Sequence, residues 1–250
     1  MPEKEANDAT YYIKRKAKII KELNKTMKTT RQVLASHYGD SFSEKALEKT
    51  IQEFDSLLPQ LPYIGGDKNP LTKNLVFSAA ALALYRVLKA HSKSVEETGR
   101  ILYESIEAEA ATVSRFKRWL ARRLIWSRFV KNRLKRMAAE SQKCLYPENW
   151  VGIYIEGDGK NFNLGLDYTE CGICKFYHKQ GADELTPYLC ILDFPMSRAR
   201  GSGLIRTTTL AEGGDRCDFR FKRGHVPTQG WPPTSKIEKS YSENQEEAGP

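Results

Sequence analysis

The spacing of apolar residues changes along this chain near residue 145. Before that point apolar side chains recur every three or four residues, as at Leu47, Ile51 and Phe54, which is typical of one face of a helix. Beyond it they alternate, as at Val151 and Ile153, which is typical of a half-buried strand. The pattern therefore predicts helices first and strands afterwards.

Three regions follow from this change. We expect a helical region over 1–145, a cysteine-containing α+β region over 146–225, and a Pro-rich, polar and disordered tail over 226–250. The middle region reads as a hairpin, two helical pieces over about 170–199, and a second hairpin that turns at Gly213. This ββααββ order predicts an α+β fold with an antiparallel sheet.

The composition narrows the class of protein. The 250 residues are enough to bury a sizeable core without disulfides. Five cysteines is an odd number, and no secretory signal is visible, so we expect reduced thiols and a cytoplasmic protein. The most apolar run, residues 75–90, contains Arg86 and is shorter than the ~20 residues of a membrane span, which predicts a buried helix.

Four of the five cysteines lie between residues 171 and 217, among acids and arginines. Cys190 and Asp193 are three residues apart, so they share one face of the second predicted helical piece. On the last predicted strand, Cys217 shares a face with Phe219, whereas Asp218 points the other way. We therefore expect the thiols and Asp193 to meet at one cavity.

Two chemistries suit such a cluster, beside the simple burial of small residues. A thiolate can act as a nucleophile when a cation or a base lowers its pKa. Alternatively, Cys174, Cys190 and Cys217 could hold Zn²⁺ or iron with a carboxylate such as Asp193 in a non-enzymatic module that binds a metal or a small ligand. The segment contains a single CxxC pair, so the spacing leaves both open.

Longer stretches of this region are similar to a known family. The segments "CILDFPMSRARG" and "TTTLAEGGDRCDFRF", together with "LPYIGGDKNPLTKN" further upstream, resemble the L-2-amino-thiazoline-4-carboxylic acid hydrolase family. The likeness covers most of residues 10–223. It implies a hydrolase that opens a small cyclic C–N substrate to a carbamoyl-cysteine.

The chemistry of that reaction assigns expected roles. Water or a thiolate must attack an amidine-like carbon while an acid protonates the ring nitrogen. The candidates are Cys190 and Cys217 for attack and Asp193 and Glu212 for proton transfer. Arg206 and Arg220 are the candidates for holding the substrate carboxylate. Cys174 is a further candidate for contact with the substrate.

A basic segment over 114–143 stands apart from this chemistry. It contains eleven Lys and Arg and one acid, Glu140, interleaved with Trp119, Trp126 and other apolar residues. Our first expectation is that the aromatics pack on the protein under the stems of the arginines. Peripheral contact with an anionic membrane is the second, and nucleic acid, for which no base-reading motif is present, is the third.

Overall fold

The structure is a computed structural model that describes residues 10–233, so residues 1–9 and the tail residues 234–250 lie outside the description. The helices are α1 (Tyr11–Lys14), α2 (Lys16–Tyr38), α3 (Asp40–Leu57), α4 (Thr72–Ala90), α5 (Val95–Thr112), α6 (Arg115–Ile125), α7 (Arg128–Ser141), α8 (Gly172–Lys179), α9 (Thr186–Cys190) and α10 (Asp193–Arg200). The strands are β1 (Val151–Glu156), β2 (Leu164–Glu170), β3 (Leu204–Ile205) and β4 (Cys217–Phe221).

Helix α4 is the centre of the helical layer. It is buried on most of its circumference, because between Leu75 and Leu88 its sequence is apolar on all sides apart from Ser78 and Arg86. This confirms the buried helix expected at 75–90. The Nη1 of Arg86 donates to Glu53 Oε1 at 2.9 Å. Within residues 10–233, no helix combines the length and the apolar character that crossing a bilayer requires.

Helix α5 starts with a capping box formed by Ser94 and Glu97. The Glu97 amide donates to Ser94 Oγ at 3.0 Å, and the Ser94 amide donates to Glu97 Oε2 at 2.8 Å. These two bonds satisfy amides that have no partner within the helix. The start of α5 is thereby fixed relative to the helices on which it packs.

The four strands form one antiparallel sheet in the order β1-β2-β4-β3. Helices precede it and two helical stretches interrupt it, so the predicted α+β class is confirmed. Strand β3 has only two residues, because the chain after Ile205 turns away from β4. That departure creates one wall of the candidate site.

The second predicted helical piece is broken in two. Helix α9 ends at Cys190 and α10 starts at Asp193. Pro195 has no amide hydrogen to donate to the carbonyl of Ile191, and its ring would clash with that carbonyl in a continuous helix. The break places Cys190 at a helix end and Asp193 at a helix start, next to each other.

One hydrophobic core joins the helical layer to the C-terminal region. The side chain of Tyr177 on α8 is fully buried, and its hydroxyl donates to the carbonyl oxygen of Ser78 on α4 at 2.8 Å. Because a buried hydroxyl must find a partner, this bond fixes α8 against the central helix. The start of α8, with its two cysteines, is held in place by the same packing.

The first part of the predicted disordered tail is ordered by contacts with the body. Arg198 Nη1 donates to the carbonyl oxygen of Gln229 at 2.7 Å. The Trp231 ring stacks on Tyr188, with centroids 5.7 Å apart. The predicted disorder is therefore wrong for residues 226–233, because Arg198 and Tyr188 hold this segment against the protein. Its Pro-rich, polar composition gave no sign of these contacts.

Gly99 provides a test of the packing between α5 and α9. A methyl group there would lie 2.4 Å from Cδ1 and 2.9 Å from Cβ of Tyr188, which is buried and cannot move aside. Gly99→Ala should lower the free energy of unfolding by ~1–3 kcal/mol. Helix propensity alone predicts the opposite sign, a gain of ~1 kcal/mol.

Urea denaturation measures the difference. Ala108→Gly, at an exposed position of the same helix, is the control and should lose only the ~1 kcal/mol of propensity. A Gly99→Ala protein as stable as the parent or more stable would show that α5 and α9 are not in this close contact.

Candidate active site

A cavity of about 490 Å³ lies beside the carboxyl end of α9. Helices α9 and α10 form one side and the segment 206–212 forms the other. Its polar lining consists of Cys190, Arg206, Thr207, Thr208, Thr209, Glu212 and Gln229. The cavity thus brings together three residues that the sequence singled out, namely Cys190, Arg206 and Glu212.

Arg206 is a nearly buried cation, with 8% of its surface exposed. Its Nη1 donates to Asp193 Oδ2 at 2.6 Å, and its Nη2 donates to the carbonyl oxygen of Cys190 at 2.9 Å. That carbonyl belongs to the last residue of α9, where carbonyls lack helical partners. Arg206 therefore joins the end of one helix to the start of the next.

Aromatic rings complete the surroundings of Arg206. Its guanidinium carbon lies 5.0 Å from the ring centroid of Phe194 and 5.2 Å from that of Phe219. A charge in this position is tolerated because Asp193 neutralises it and the ring faces attract it. Two of its five N–H donors bond the protein in the described part of the chain, and Arg206 is among the residues that line the cavity.

Asp193 lies behind Arg206 and is not among the residues that line the cavity. Burial raises the pKa of Asp193 above its ordinary value, although the Arg206 charge opposes that shift. About a third of its side chain remains exposed, 33% by surface area. We interpret Asp193 as the counter-ion that orients Arg206.

Asp218 shapes the wall of the cavity. Its carboxylate accepts hydrogen bonds from the Thr207 amide at 2.8 Å, the Thr207 hydroxyl at 2.6 Å and the Thr208 amide at 2.8 Å. Burial raises the pKa of Asp218, but these hydrogen bonds outweigh burial and bring it below the ordinary value. The carboxylate thus draws Thr207 and Thr208 away from strand pairing.

The two glycines of the "EGGD" segment close this loop. Gly213 has φ of +85°, which favours glycine, and a Cβ at Gly214 would lie 2.1 Å from Thr208 Oγ1. The loop presents Glu212 to the cavity, where its Oε2 accepts a hydrogen bond from the Thr209 hydroxyl at 2.7 Å. Among the lining residues described, Glu212 is the one carboxylate.

The two thiols proposed as nucleophiles are in apolar surroundings. Cys190 lines the cavity, and burial raises the pKa of its thiol well above the ordinary value although Arg206 opposes this. Cys217 lies outside the lining, and burial raises its pKa to about 11 even though its sulfur accepts a hydrogen bond from the Leu210 amide. Both are neutral thiols near pH 7.

The thiol with a lowered pKa is Cys171, which the sequence-based assignment missed. It precedes the first residue of α8, and Cys174 lies one turn into that helix. A hydrogen bond from the Cys174 thiol, followed by the Cys174 and Ile173 amides and the Trp150 side chain, lowers the pKa of Cys171 against the effect of burial. Hydrogen bonding with Cys171 and burial raise the pKa of Cys174.

The sequence contained the signal for this residue. In "CGIC" the first cysteine precedes the first helical residue, and the second cysteine is the third residue of the helix. The free amides at a helix start stabilise a thiolate, which here is that of the first cysteine, Cys171. No well-aligned side-chain cap bond forms at Cys171, so the effect is a stabilised thiolate rather than a conventional helix cap.

The four clustered thiols affect one another. The negative charges that Cys190 and Cys217 can carry raise the pKa of Cys174, and Cys171 acts on all three of the others. They therefore lie within electrostatic range of one another. Of these four cysteines, however, Cys190 alone lines the cavity. Cys174 and Cys217 are not among its lining residues.

Arg220 lies away from the cavity. Its Nη1 bonds Asp167 Oδ1 at 2.5 Å across the β2–β4 pair, and its guanidinium carbon lies 5.3 Å from the ring centroid of Phe162. This face of the strand is opposite to that of Cys217. A role for Arg220 in binding the substrate carboxylate is therefore not supported.

The metal alternative also lacks support. Among the residues that the structure describes, no three His, Cys, Asp or Glu side chains are arranged to hold a metal ion. The thiols of Cys174, Cys190 and Cys217 are close enough to interact electrostatically, but they do not form a coordination site.

Fold and cavity together define a helix-rich α+β protein with an arginine- and thiol-lined pocket for a small molecule. The sequence model of the L-2-amino-thiazoline-4-carboxylic acid hydrolase family matches residues 73–221, which is more than half of the chain. The protein belongs to this family, whose name describes a hydrolase. No curated protein and no solved structure matches the chain significantly.

The differences between the thiols can be measured by alkylation. Iodoacetamide labelling followed by peptide mass spectrometry should show Cys171 becoming reactive at a lower pH than an ordinary thiol, because its thiolate is stabilised. Cys217 should become reactive only near pH 11. Cys174→Ala should move the Cys171 midpoint to higher pH, since Cys174 is its main hydrogen-bond donor. Equal midpoints for Cys171 and Cys217 would contradict this account.

Proposed function

We propose that the protein hydrolyses a cyclic amidine or isothiourea that carries a carboxylate, of the 2-aminothiazoline-4-carboxylate type, to a carbamoyl-cysteine. One observation carries the proposal: a nearly buried cation, Arg206, and a carboxylate, Glu212, line the same cavity. The family supports a hydrolase, and the cavity volume of about 490 Å³ suits a small molecule.

Arg206 is the proposed partner of the substrate carboxylate. A guanidinium can bind a carboxylate through two parallel hydrogen bonds, and three of its five donors are not used by Asp193 or the Cys190 carbonyl. The Asp193 and helix-end contacts hold the planar group in one orientation. Substrate binding then requires little loss of side-chain freedom at Arg206.

Glu212 is the proposed proton-transfer group. Its carboxylate takes a proton from water as the oxygen attacks the amidine-like carbon, and it delivers that proton to the ring nitrogen. The tetrahedral intermediate then collapses: its new hydroxyl gives its proton to Glu212 and becomes the carbonyl, one ring bond at that carbon breaks, and Glu212 delivers this second proton to the leaving ring atom. The Thr209 hydroxyl orients the carboxylate through its hydrogen bond.

Water is the proposed nucleophile, in preference to a thiolate. Attack by cysteine requires the deprotonated sulfur, and burial raises the pKa of both Cys190 and Cys217. Cys190 would contact the bound ring as a neutral thiol. Asp193 acts on the substrate only through Arg206, as a positioning residue.

Substitution at Glu212 tests the proton-transfer role. Glu212→Gln should lower kcat by about 10²- to 10⁴-fold, measured by the formation of carbamoyl product from 2-aminothiazoline-4-carboxylate. Asp215→Asn is the matched control, because this nearby acid pairs with Arg216 and does not line the cavity. Cys190→Ser should retain most of the activity. Loss of activity in Cys190→Ser with Glu212→Gln unaffected would instead establish attack by the thiol.

Asp193→Asn separates positioning from proton transfer. We expect the pH profile of kcat to keep its shape in this variant, whereas Glu212→Gln should remove the limb that reports the base. A profile that changes in Asp193→Asn in the same way as in Glu212→Gln would give Asp193 the proton-transfer role.

Arg206 and Arg220 form a second matched pair. Arg206→Lys keeps the charge but loses the planar fork, so KM should rise by about tenfold or more, since a charge-assisted hydrogen bond is worth ~1.5–3 kcal/mol. Arg220→Lys should leave KM unchanged, because that side chain pairs with Asp167 on the opposite face of the sheet. Circular dichroism establishes that both variants are folded. An equal rise of KM in the two would contradict the assignment of Arg206.

A further inference from the structure

Helix α6 presents apolar side chains to solvent. Phe116, Trp119 and Leu124 are 69%, 55% and 53% exposed, and Leu120 is also exposed. Their spacing of three to four residues places them along one face of the helix. We call these four residues the apolar stripe. Such a stripe normally faces a protein core, and here it faces outward.

The opposite side of α6 faces the body of the protein. The aliphatic stem of Arg122 packs over Gly201, where a Cβ would lie 2.4 Å from Arg122 Cγ. Ala121 and Ile125 are half-buried. Arg118 Nε donates to the carbonyl oxygen of Val113, just before the helix, at 2.8 Å. The apolar stripe is left uncovered. This overturns the expectation that the aromatics of this segment pack on the protein, although Trp126 is half-buried.

Positive charge surrounds the stripe. The segment 114–143 carries eleven Lys and Arg and one acid. The ion pairs found within the described residues include Lys135 with Glu156 and Lys143 with Glu140, and no others from this segment. Apart from Arg118, which donates to backbone carbonyls, the other described cationic side chains of α6 and α7 form no ion pair with a described acid and are available to an external anion.

A cationic cavity adjoins the stripe. It has a volume of about 470 Å³ and is lined by Trp119, Arg122, Arg123, Arg223 and His225, with other residues. The Arg123 guanidinium carbon lies 5.9 Å from the Trp119 ring centroid. The guanidinium groups can bind a phosphate. The neighbouring indole and the apolar stripe can contact apolar groups attached to that phosphate.

We propose that α6, with the adjoining cationic cavity, binds the surface of an anionic phospholipid bilayer. The apolar stripe enters the boundary between head groups and acyl chains, and the arginines contact lipid phosphates. An amphipathic helix that is rich in Lys and Arg and carries Trp, Phe and Leu on one face has the composition of an interfacial helix. The proposal is independent of the hydrolase reaction, since none of these residues lines the candidate active site.

Charge and apolar area distinguish this partner from the others. A second copy of the chain would bring two strongly basic surfaces together, which repel. A nucleic acid would satisfy the cations but would leave Phe116, Trp119 and Leu124 without an apolar environment, since its outer surface consists of phosphates. An anionic bilayer satisfies both.

Vesicle flotation tests the proposal with the full chain. We expect the protein to float with vesicles of phosphatidylcholine and phosphatidylserine at low salt and to remain in solution with phosphatidylcholine alone. Added salt should weaken the binding, because it screens the attraction to the anionic surface. Failure to float with the anionic vesicles at low salt would overturn the proposal.

Variants identify the surface responsible. Phe116→Ser and Trp119→Ser should each weaken vesicle binding by about tenfold or more. Lys117→Gln and Arg123→Gln should each weaken it by about fivefold. Leu145→Ser and Ile153→Ser are controls at exposed apolar positions elsewhere and should bind as the parent does. All six variants should keep the circular dichroism spectrum of the parent, which shows that they are folded.

Two results would contradict the assignment. One is equal loss of binding in the control variants, which would remove the role of the apolar stripe. The other is a protein that binds duplex DNA more tightly than anionic vesicles, with Phe116→Ser and Trp119→Ser unaffected in DNA binding. That result would make nucleic acid the partner.

Discussion

The ion pair between Arg206 and Asp193 is the interaction on which the candidate site depends. It lies where Pro195 interrupts a helix, so it connects a helix end that needs donors to a helix start that favours an anion. Removing one partner would leave a buried charge unpaired, which is far more costly than losing an exposed pair. The interruption of the helix at Pro195 therefore determines both the shape of this side of the cavity and the position of Arg206.

The opposite wall depends on a second carboxylate with a different task. Asp218 accepts three hydrogen bonds from Thr207 and Thr208, and in doing so it ends strand β3 after two residues. Gly214 permits the close approach of Thr208 that completes the turn. Of the acids in this region, Asp193 and Asp218 thus build the cavity, whereas Glu212 faces its contents. The residues next to Asp193, Asp218 and Glu212 in the sequence do not show which of the three acids is structural and which lines the cavity.

Periodicity was sufficient to predict the α+β class and the buried helix, because each depends on local spacing. The long-range arrangement was less accessible. Spacing placed Asp193 near Cys190, but it could not show that Arg206 would pair with Asp193 while Arg220 paired with Asp167 across the sheet. The low pKa of Cys171 depends on its position at a helix start, which "CGIC" suggests and which only the neighbouring donors establish.

The positive charge of the chain has two separate explanations. The proposed carboxylate substrate needs one well-placed cation, and Arg206 is a nearly buried candidate for it. The cations of the segment 114–143 are too many and too exposed for that purpose, and they surround apolar side chains that a dissolved anion cannot cover. An extended anionic surface with an apolar interior, as we propose, would use both features. Under this proposal the net charge of +9 reflects an interaction surface more than the reaction.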